Sequence, residues 1–470
     1  MPVLILALML TAVPPKSAAG PRAPEDVDYA FFIPKLEDAA QLNSFLDVAG
    51  ERSGLLRREG WRNEVHPLLR VDVTRKESLL ESGLDPSGAA TLSFKGPLTW
   101  SCVSLGEVKK YEAACAERLR TLGEPWRKQV GGAWVVGARD LLGRVLAGYV
   151  VKGKESCAIS AGGNTVEKPL LELGRLLGKA PRGSMWKTAG VLPGQVVIVS
   201  PSGVVGLKGN GLVLTQQFKS TQSRVAKLAG AGPSPYGGGT FDGLFWARLR
   251  IDSSQLPLVV AQVTGLLGKL CPTCDSAALT DAATALAPAL SGNVLARIHQ
   301  VKVKGTLRTF AGRFFSAQLT ILAEATDPKA AGEALENLSR VKGAKALESG
   351  EGYSLLLREG EVTVGVRGNQ LYFSNEGTAL EATLKSVPSV PGQQAHGAEY
   401  GVDPERLARA LTQIPLIDVL AVPELAGLLA ISAEGGPLLL ATEKLVGTAD
   451  TEPANVVRGE LVWSLKSPKR

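Results

Sequence analysis

Residues 28–178 and 241–386 carry the same order of strand-like and helix-like segments, so the chain reads as one structural unit written twice. The first stretch opens Tyr29-Ala-Phe-Phe-Ile-Pro-Lys-Leu-Glu-Asp and the second Gly243-Leu-Phe-Trp-Ala-Arg-Leu-Arg-Ile-Asp, and each runs into an apolar helix pattern. A period of about 150 residues is the size of a domain, not of a solenoid repeat. The repeat therefore points to tandem bodies, and it constrains shape more than activity.

Within the first stretch, Leu36, Ala39, Leu42, Phe45, Leu46 and Ala49 keep the spacing of one helix face, and Thr74 with Glu77 reads as a capping box for a helix ending at Gly83. Val108, Tyr111, Cys115, Leu119 and Leu122 mark a helix over 106–122, and another is expected at 165–178. In the second stretch, helices are expected at 255–270, at 276–289 and after Asp327-Pro328. Gly148-Tyr149 aligns with Gly352-Tyr353, and Cys157-Ala-Ile-Ser with Val362-Thr-Val-Gly. Short hairpins interrupted by helices, without regular strand–helix alternation, predict an α+β fold of antiparallel sheets with helices packed on one face.

The organisation read from these patterns is a signal peptide at 1–19, a first α+β repeat at 28–180 and a strand-rich connector at 184–228. A glycine-rich linker at 229–240, a second repeat at 241–388 and a truncated third unit at 397–466 follow. The third unit is read as helices near 403–414 and 422–430, then a hairpin turning at Gly447-Thr-Ala-Asp-Thr-Glu-Pro.

Met1-Pro-Val-Leu-Ile-Leu-Ala-Leu-Met-Leu-Thr-Ala-Val is an apolar run of signal-peptide length, too short for the ~20 residues that span a bilayer. Ser17-Ala18-Ala19 supplies small residues for cleavage before Gly20, although no Lys or Arg precedes the apolar run. The expectation is a periplasmic or secreted protein with no transmembrane anchor in its mature form. Five cysteines, Cys102, Cys115, Cys157, Cys271 and Cys274, fit an oxidising compartment. The number is odd, so one thiol is free or pairs between chains. Among the first three, adjacent strands bring Cα atoms into range more readily than a helix stacked on a sheet, which favours Cys102–Cys157.

Cys271-Pro-Thr-Cys274 is the motif with the plainest chemistry. It follows the end of one helix and precedes Asp275 as the N-cap of the next, so a local disulfide at a helix–helix corner is expected there; thiol–disulfide exchange is the catalytic alternative. Zinc is disfavoured because no second C-x-x-C exists and His66, His299 and His396 lie far apart. Ser184-Met-Trp-Lys187 has the S-x-x-K spacing of penicillin-recognising serine enzymes, and Ser291-Gly-Asn293 resembles their second motif. About two such S-x-x-K matches are expected by chance, and a second exists at Ser339-Arg-Val-Lys342. Gly206-Leu-Lys-Gly209-Asn-Gly211 lies between strands and opens no helix, so it reads as a hairpin turn and not a phosphate loop. His66, before Pro67, reads as a loop-surface residue. The net charge of +7 is scattered among acidic residues, which argues for a mixed solvated surface and against nucleic-acid binding.

The opening strand followed by Pro34, the Gly83-Leu-Asp85-Pro86 turn and the export signal together resemble exported bacterial families of unknown function with duplicated α+β domains. That resemblance implies an extracytoplasmic repeat fold and supplies no catalytic residues. The functional expectation is a non-enzymatic envelope protein, without cofactor, that binds an envelope protein or an apolar ligand. Two alternatives stand beside it: an oxidoreductase using Cys271 and Cys274, and a serine acyl-transfer enzyme using Ser184 and Lys187.

Overall fold

The strand that opens the first unit, Tyr29–Ile33, has a hydrogen-bonded neighbour on each edge. The computed structural model describes residues 28–52, 66–161, 164–179, 194–200, 203–220, 227–238, 240–270, 275–303, 315–342, 344–357, 360–412 and 435–467. The chain divides into two compact units, 1–222 with 464–470, and 223–463.

The first unit contains β1 (Tyr29–Ile33), α1 (Asn43–Arg52), α2 (Lys76–Glu81), β2 (Ala90–Lys95), β3 (Leu98–Ser104) and α3 (Val108–Arg120). It continues with β4 (Glu124–Val130), β5 (Ala133–Arg139), β6 (Val145–Lys152), β7 (Glu155–Ala161) and α4 (Glu167–Lys179). Three further strands, β8 (Val196–Ser200), β9 (Gly203–Asn210) and β10 (Val213–Ser220), complete it. All pairings are antiparallel and run β4–β5–β6–β7–β3–β2–β1–β8–β9–β10. The stretch expected to be a connector thus supplies three strands of this sheet, because β8 is hydrogen-bonded to β1.

The second unit contains β11 (Gly232–Ser234), β12 (Phe245–Arg250), α5 (Leu256–Leu270), α6 (Ser276–Leu286), β13 (Leu290–Val303) and β14 (Phe315–Ala325). After α7 (Pro328–Glu336) come β15 (Ala344–Ala346), β16 (Gly352–Leu357), β17 (Gly360–Arg367), β18 (Gln370–Ser374) and α8 (Gly377–Ser386). The chain ends with β19 (Gly392–Gln394), β20 (Ala398–Val402), α9 (Pro404–Thr412), β21 (Thr442–Glu452) and β22 (Val456–Leu465). Its order is β15–β16–β17–β18–β14–β13–β12–β20–β21, again antiparallel throughout. Strand for strand this is the order of the first unit, with β20 beside β12 as β8 is beside β1.

Residues 397–466 are therefore not a truncated third unit. Their first strand lies in the second unit's sheet, in register Ala247↔Tyr400 and Arg248↔Glu399. The glycine-rich stretch is not a loose linker either: β11 pairs with β19 and Tyr236 is fully buried. A Cβ at Gly237 would stand 2.8 Å from the Gly392 carbonyl carbon, so this crossing needs glycine. The shared order also corrects the landmark alignment. Cys157 lies in β7, beside β3, whereas Val362 lies in β17, one strand further out; the strand equivalent to β7 is β18.

The α+β class is as expected, but helices cover both faces of each sheet. In the first unit Val150, Cys157 and Ile159 pack with Leu170 and Leu177 of α4. Their neighbours Tyr149 and Ser156 point the other way and meet Tyr111 of α3. In the second unit Leu371 and Phe373 join a cluster with α6 and α7, while Tyr372 packs with Leu380 of α8. The continuous apolar run Val145–Val151, buried at nearly every position, is the sequence sign of a strand covered twice.

Local signals fare unevenly. Asp327 caps α7 by accepting the Ala330 N–H at 3.0 Å, with Pro328 in the first turn, as the sequence predicts. Thr74 caps nothing: its hydroxyl donates to Asp72, and α2 starts after Arg75. The last hairpin turns at Pro453–Asn455, not at Gly447, which lies within β21 opposite Tyr400. The helix expected at 422–430 falls outside the described residues.

Gly148 tests the α4-covered face. A Cβ there would stand 2.4 Å from Leu170 Cδ2 and 2.5 Å from the Val136 carbonyl oxygen. Gly148→Ala should lower the unfolding free energy by about 1–3 kcal/mol in a denaturant titration; an unchanged midpoint would mean that α4 does not seat there.

Candidate functional site

Polar and sulfur groups gather in several side-chain clusters among the described residues, and three of them bear on chemistry. The first is the pair that β3 and β7 bring together. Cys102 and Cys157 are directly opposite in register, with Cα atoms 3.9 Å apart and sulfurs at bonding distance. Both are buried in the α4-facing core among Val135, Val150 and Leu170. At the equivalent pairing of the second unit stand Leu322 and Tyr372, joined by apolar contact.

The second cluster lies on the opposite face of the first sheet. His66 is buried, not on a loop surface, because the Leu68 and Leu69 N–H groups donate to its Nδ1 at 3.2 and 3.1 Å. Nδ1 therefore carries no proton, and Nε2–H is left to donate to the Tyr111 hydroxyl at 3.2 Å. Ser156 Oγ donates to the Val150 carbonyl at 2.9 Å and stands 2.8 Å from the Tyr111 hydroxyl. The hydrogen-bonded chain reaches a backbone acceptor, and the Cys115 thiol also bonds to Tyr111. Burial holds the His66 imidazole down to about 3 and raises Tyr111 well above its ordinary range. Cys115, one turn along α3, is the free thiol among the described residues, and burial pushes it up to about 12. A neutral imidazole and a protonated thiol, both shut away from solvent, fit a packed interior.

The third cluster, in the second unit, was not legible in the sequence. Arg248 of β12 and Glu399 of β20 are register partners and form an ion pair, with side chains only 9 and 13% exposed. Arg248 Nε donates to Glu399 at 2.9 Å, and another guanidinium N–H donates to the Tyr236 carbonyl at 2.9 Å. The second Glu399 oxygen accepts the Ala395 N–H at 2.9 Å and the His396 N–H at 3.3 Å. His396 Nδ1 is 2.7 Å from Asp450, whose other oxygen accepts the Gly397 N–H at 2.7 Å. A histidine–carboxylate pair is two of the three members of a nucleophile–histidine–carboxylate triad. Among the described residues no hydroxyl or thiol is hydrogen-bonded to His396 Nε2, so the arrangement ties β20 and β21 to the preceding loop.

The remaining sequence candidates separate. Ser291 and Asn293 both donate to Glu324 at 2.7 Å, which makes them a turn brace without a lysine. Ser339 donates to the Glu336 carbonyl in the turn after α7. The Gly206–Gly211 segment forms the end of β9 and its tight hairpin into β10. Cys271, Cys274, Ser184 and Lys187 lie outside the described residues. No group of three metal-ligating side chains occurs among the described residues, and none of their helices is long and apolar enough to cross a membrane.

No protein-family model matches the chain, and no curated protein matches it. A solved structure, crystal form I of TP0453, overlaps 77% of this chain and 93% of its own at 8% identity, with a TM-score of 0.20. At that score the likeness carries no argument.

Two measurements test these clusters. Replacing both Cys102 and Cys157 by Ala releases a loop of separation 55 and should cost about 4 kcal/mol in unfolding free energy; equal stability would deny the staple. For His66 the neutral form is native. Its contribution is complete above pH 6.5, the unfolded value, and is lost as pH falls toward the folded value of about 3. The stability difference between wild type and His66→Asn should therefore shrink as pH drops below 6.5, and a constant difference would place His66 in solvent.

Proposed function

We propose that this chain is a non-enzymatic exported protein, periplasmic or secreted, that binds or scaffolds a partner in the cell envelope. The observation that carries the reading is the Cys102–Cys157 pair: a disulfide in the middle of a core persists where the compartment is oxidising. The apolar leader before Ser17-Ala18-Ala19 supports the same address. The common strand order of the two units supports their origin by duplication, the second keeping the shape while its polar interior diverged.

The site chemistry supports binding over catalysis. The His66 chain ends on a backbone acceptor and the thiol beside it is protonated. Arg248 and Glu399 are spent on each other and on backbone groups. What the fold offers instead is two broad sheets whose order survives large changes of sequence.

The test is expression of the full reading frame in a Gram-negative host, followed by fractionation, N-terminal sequencing and thiol trapping. The expected product starts at Gly20, lies in the periplasm or medium, and traps no label at Cys102 or Cys157 before reduction. An unprocessed, cytoplasmic chain with both thiols labelled would overturn the reading.

A further inference from the structure

The hairpin of β4 and β5 leaves one edge of the first sheet open. Among the described residues β4 takes its single ladder from β5, and Glu124, Pro125, Arg127, Lys128 and Gln129 are exposed along it. The strand at the equivalent edge of the second unit, β15, spans only three residues, whereas β4 spans seven. A short edge offers little to pair with, and a long one is a template for another strand. The turn fixes which backbone groups face outward. Gly131 and Gly132, at φ +59° and +81°, form a two-residue turn closed by Val130 opposite Ala133. Counting back from that pair, Lys128, Trp126 and Glu124 exchange their hydrogen bonds with β5. The N–H and C=O of Arg127 and Gln129, and the Pro125 C=O, are left to the open edge.

The side chains say which strand fits. Glu124 and Lys128 lie two positions either side of Trp126 on one face of β4, about 13 Å apart along the strand and so too far to pair with each other. Neither has an ion pair among the described residues. A second β4, antiparallel and centred on Trp126, sets each Glu124 opposite the Lys128 of the other copy and the two indoles side by side. The Arg127 N–H of each copy then reaches the Pro125 carbonyl of the other, while Pro125, without an N–H, returns no bond. Arg127 itself stacks 4.0 Å over Trp134 on the opposite face, clear of the Glu124–Lys128 row. The neighbouring registers do worse. Centring on Arg127 sets that guanidinium against its own copy, centring on Lys128 does the same for the ammonium, and centring on Pro125 joins two residues with no N–H to give. The charges on β4 thus repel a strand like itself when misregistered and attract it in one register.

We propose that β4 is a homodimer edge, at which two copies of this chain join antiparallel about Trp126 and continue the sheet of one into that of the other. This goes beyond the export reading and does not rest on it. Sedimentation equilibrium of the purified protein over a range of concentrations tests it. Wild type should show a monomer–dimer equilibrium. Lys128→Glu and Glu124→Lys each set like charges opposite one another twice per dimer, so each should raise the dissociation constant roughly tenfold or more. The double exchange should return it to near the wild-type value. Both side chains are exposed, so every variant should keep the wild-type circular dichroism spectrum. A second readout needs no variant: amide exchange across 124–130 of wild type should slow as the protein concentration rises through the dissociation constant. A wild type that stays monomeric at every concentration overturns the proposal. So does a dimer that the single variants leave unchanged, or one that the double exchange does not restore, because the copies would then meet elsewhere or in another register.

Discussion

The hydrogen bonding of each unit's first strand to a strand that arrives last is the constraint on which the rest depends. β1 has β2 on one edge and β8 on the other, and β12 has β13 and β20. The first strand cannot finish its ladder until nearly the whole unit has been laid down. Everything between must fold as excursions that return to the same sheet, and that produces the shared order. The helix after β3 or β14 covers one face and the helix after β7 or β18 the other. Such non-local pairing is entropically costly to close, and in the first unit the Cys102–Cys157 bond fixes one of its crossings, β3 against β7.

The two units diverge most in what fills equivalent places. Where the first has the cystine, the second has Leu322 and Tyr372. In the first, β8 and β9 are separated by residues 201–202 only; in the second, α9 and the segment through 441 intervene between β20 and β21. Phe32 on β1 stands opposite Val197 on β8 in an apolar cluster, whereas the corresponding pairing of β12 with β20 holds Arg248 against Glu399. One backbone order is therefore supported by cystine and apolar packing in one unit and by a buried, fully bonded ion pair in the other. Buried charges of that kind tolerate little loss of either partner.

Local features were legible in the sequence where a single residue type decides the geometry. Asp327-Pro328 marked its helix, and Cys102 facing Cys157 followed from strands being closer than stacked layers. The α+β class came from hairpins broken by helices. What escaped depends on distant partners. Residues 398–402 look like the start of something new until β12 is placed beside them. His66 looks like a loop histidine because the two N–H groups that hold it belong to Leu68 and Leu69, whose own burial comes from the fold. Arg248 shares its face of β12 with Trp246 and Arg250, and nothing in that strand alone says that Glu399 is set opposite.

Hydrogen exchange under native conditions, read by mass spectrometry, is the most direct test of that pairing. The amides of 398–402 and 245–250 should be protected to the same degree and should lose protection together as denaturant is raised, as one cooperative element. Fast exchange of 398–402 while 245–250 stays protected would contradict the account, because the last segment would then be a separate unit that the second sheet does not need.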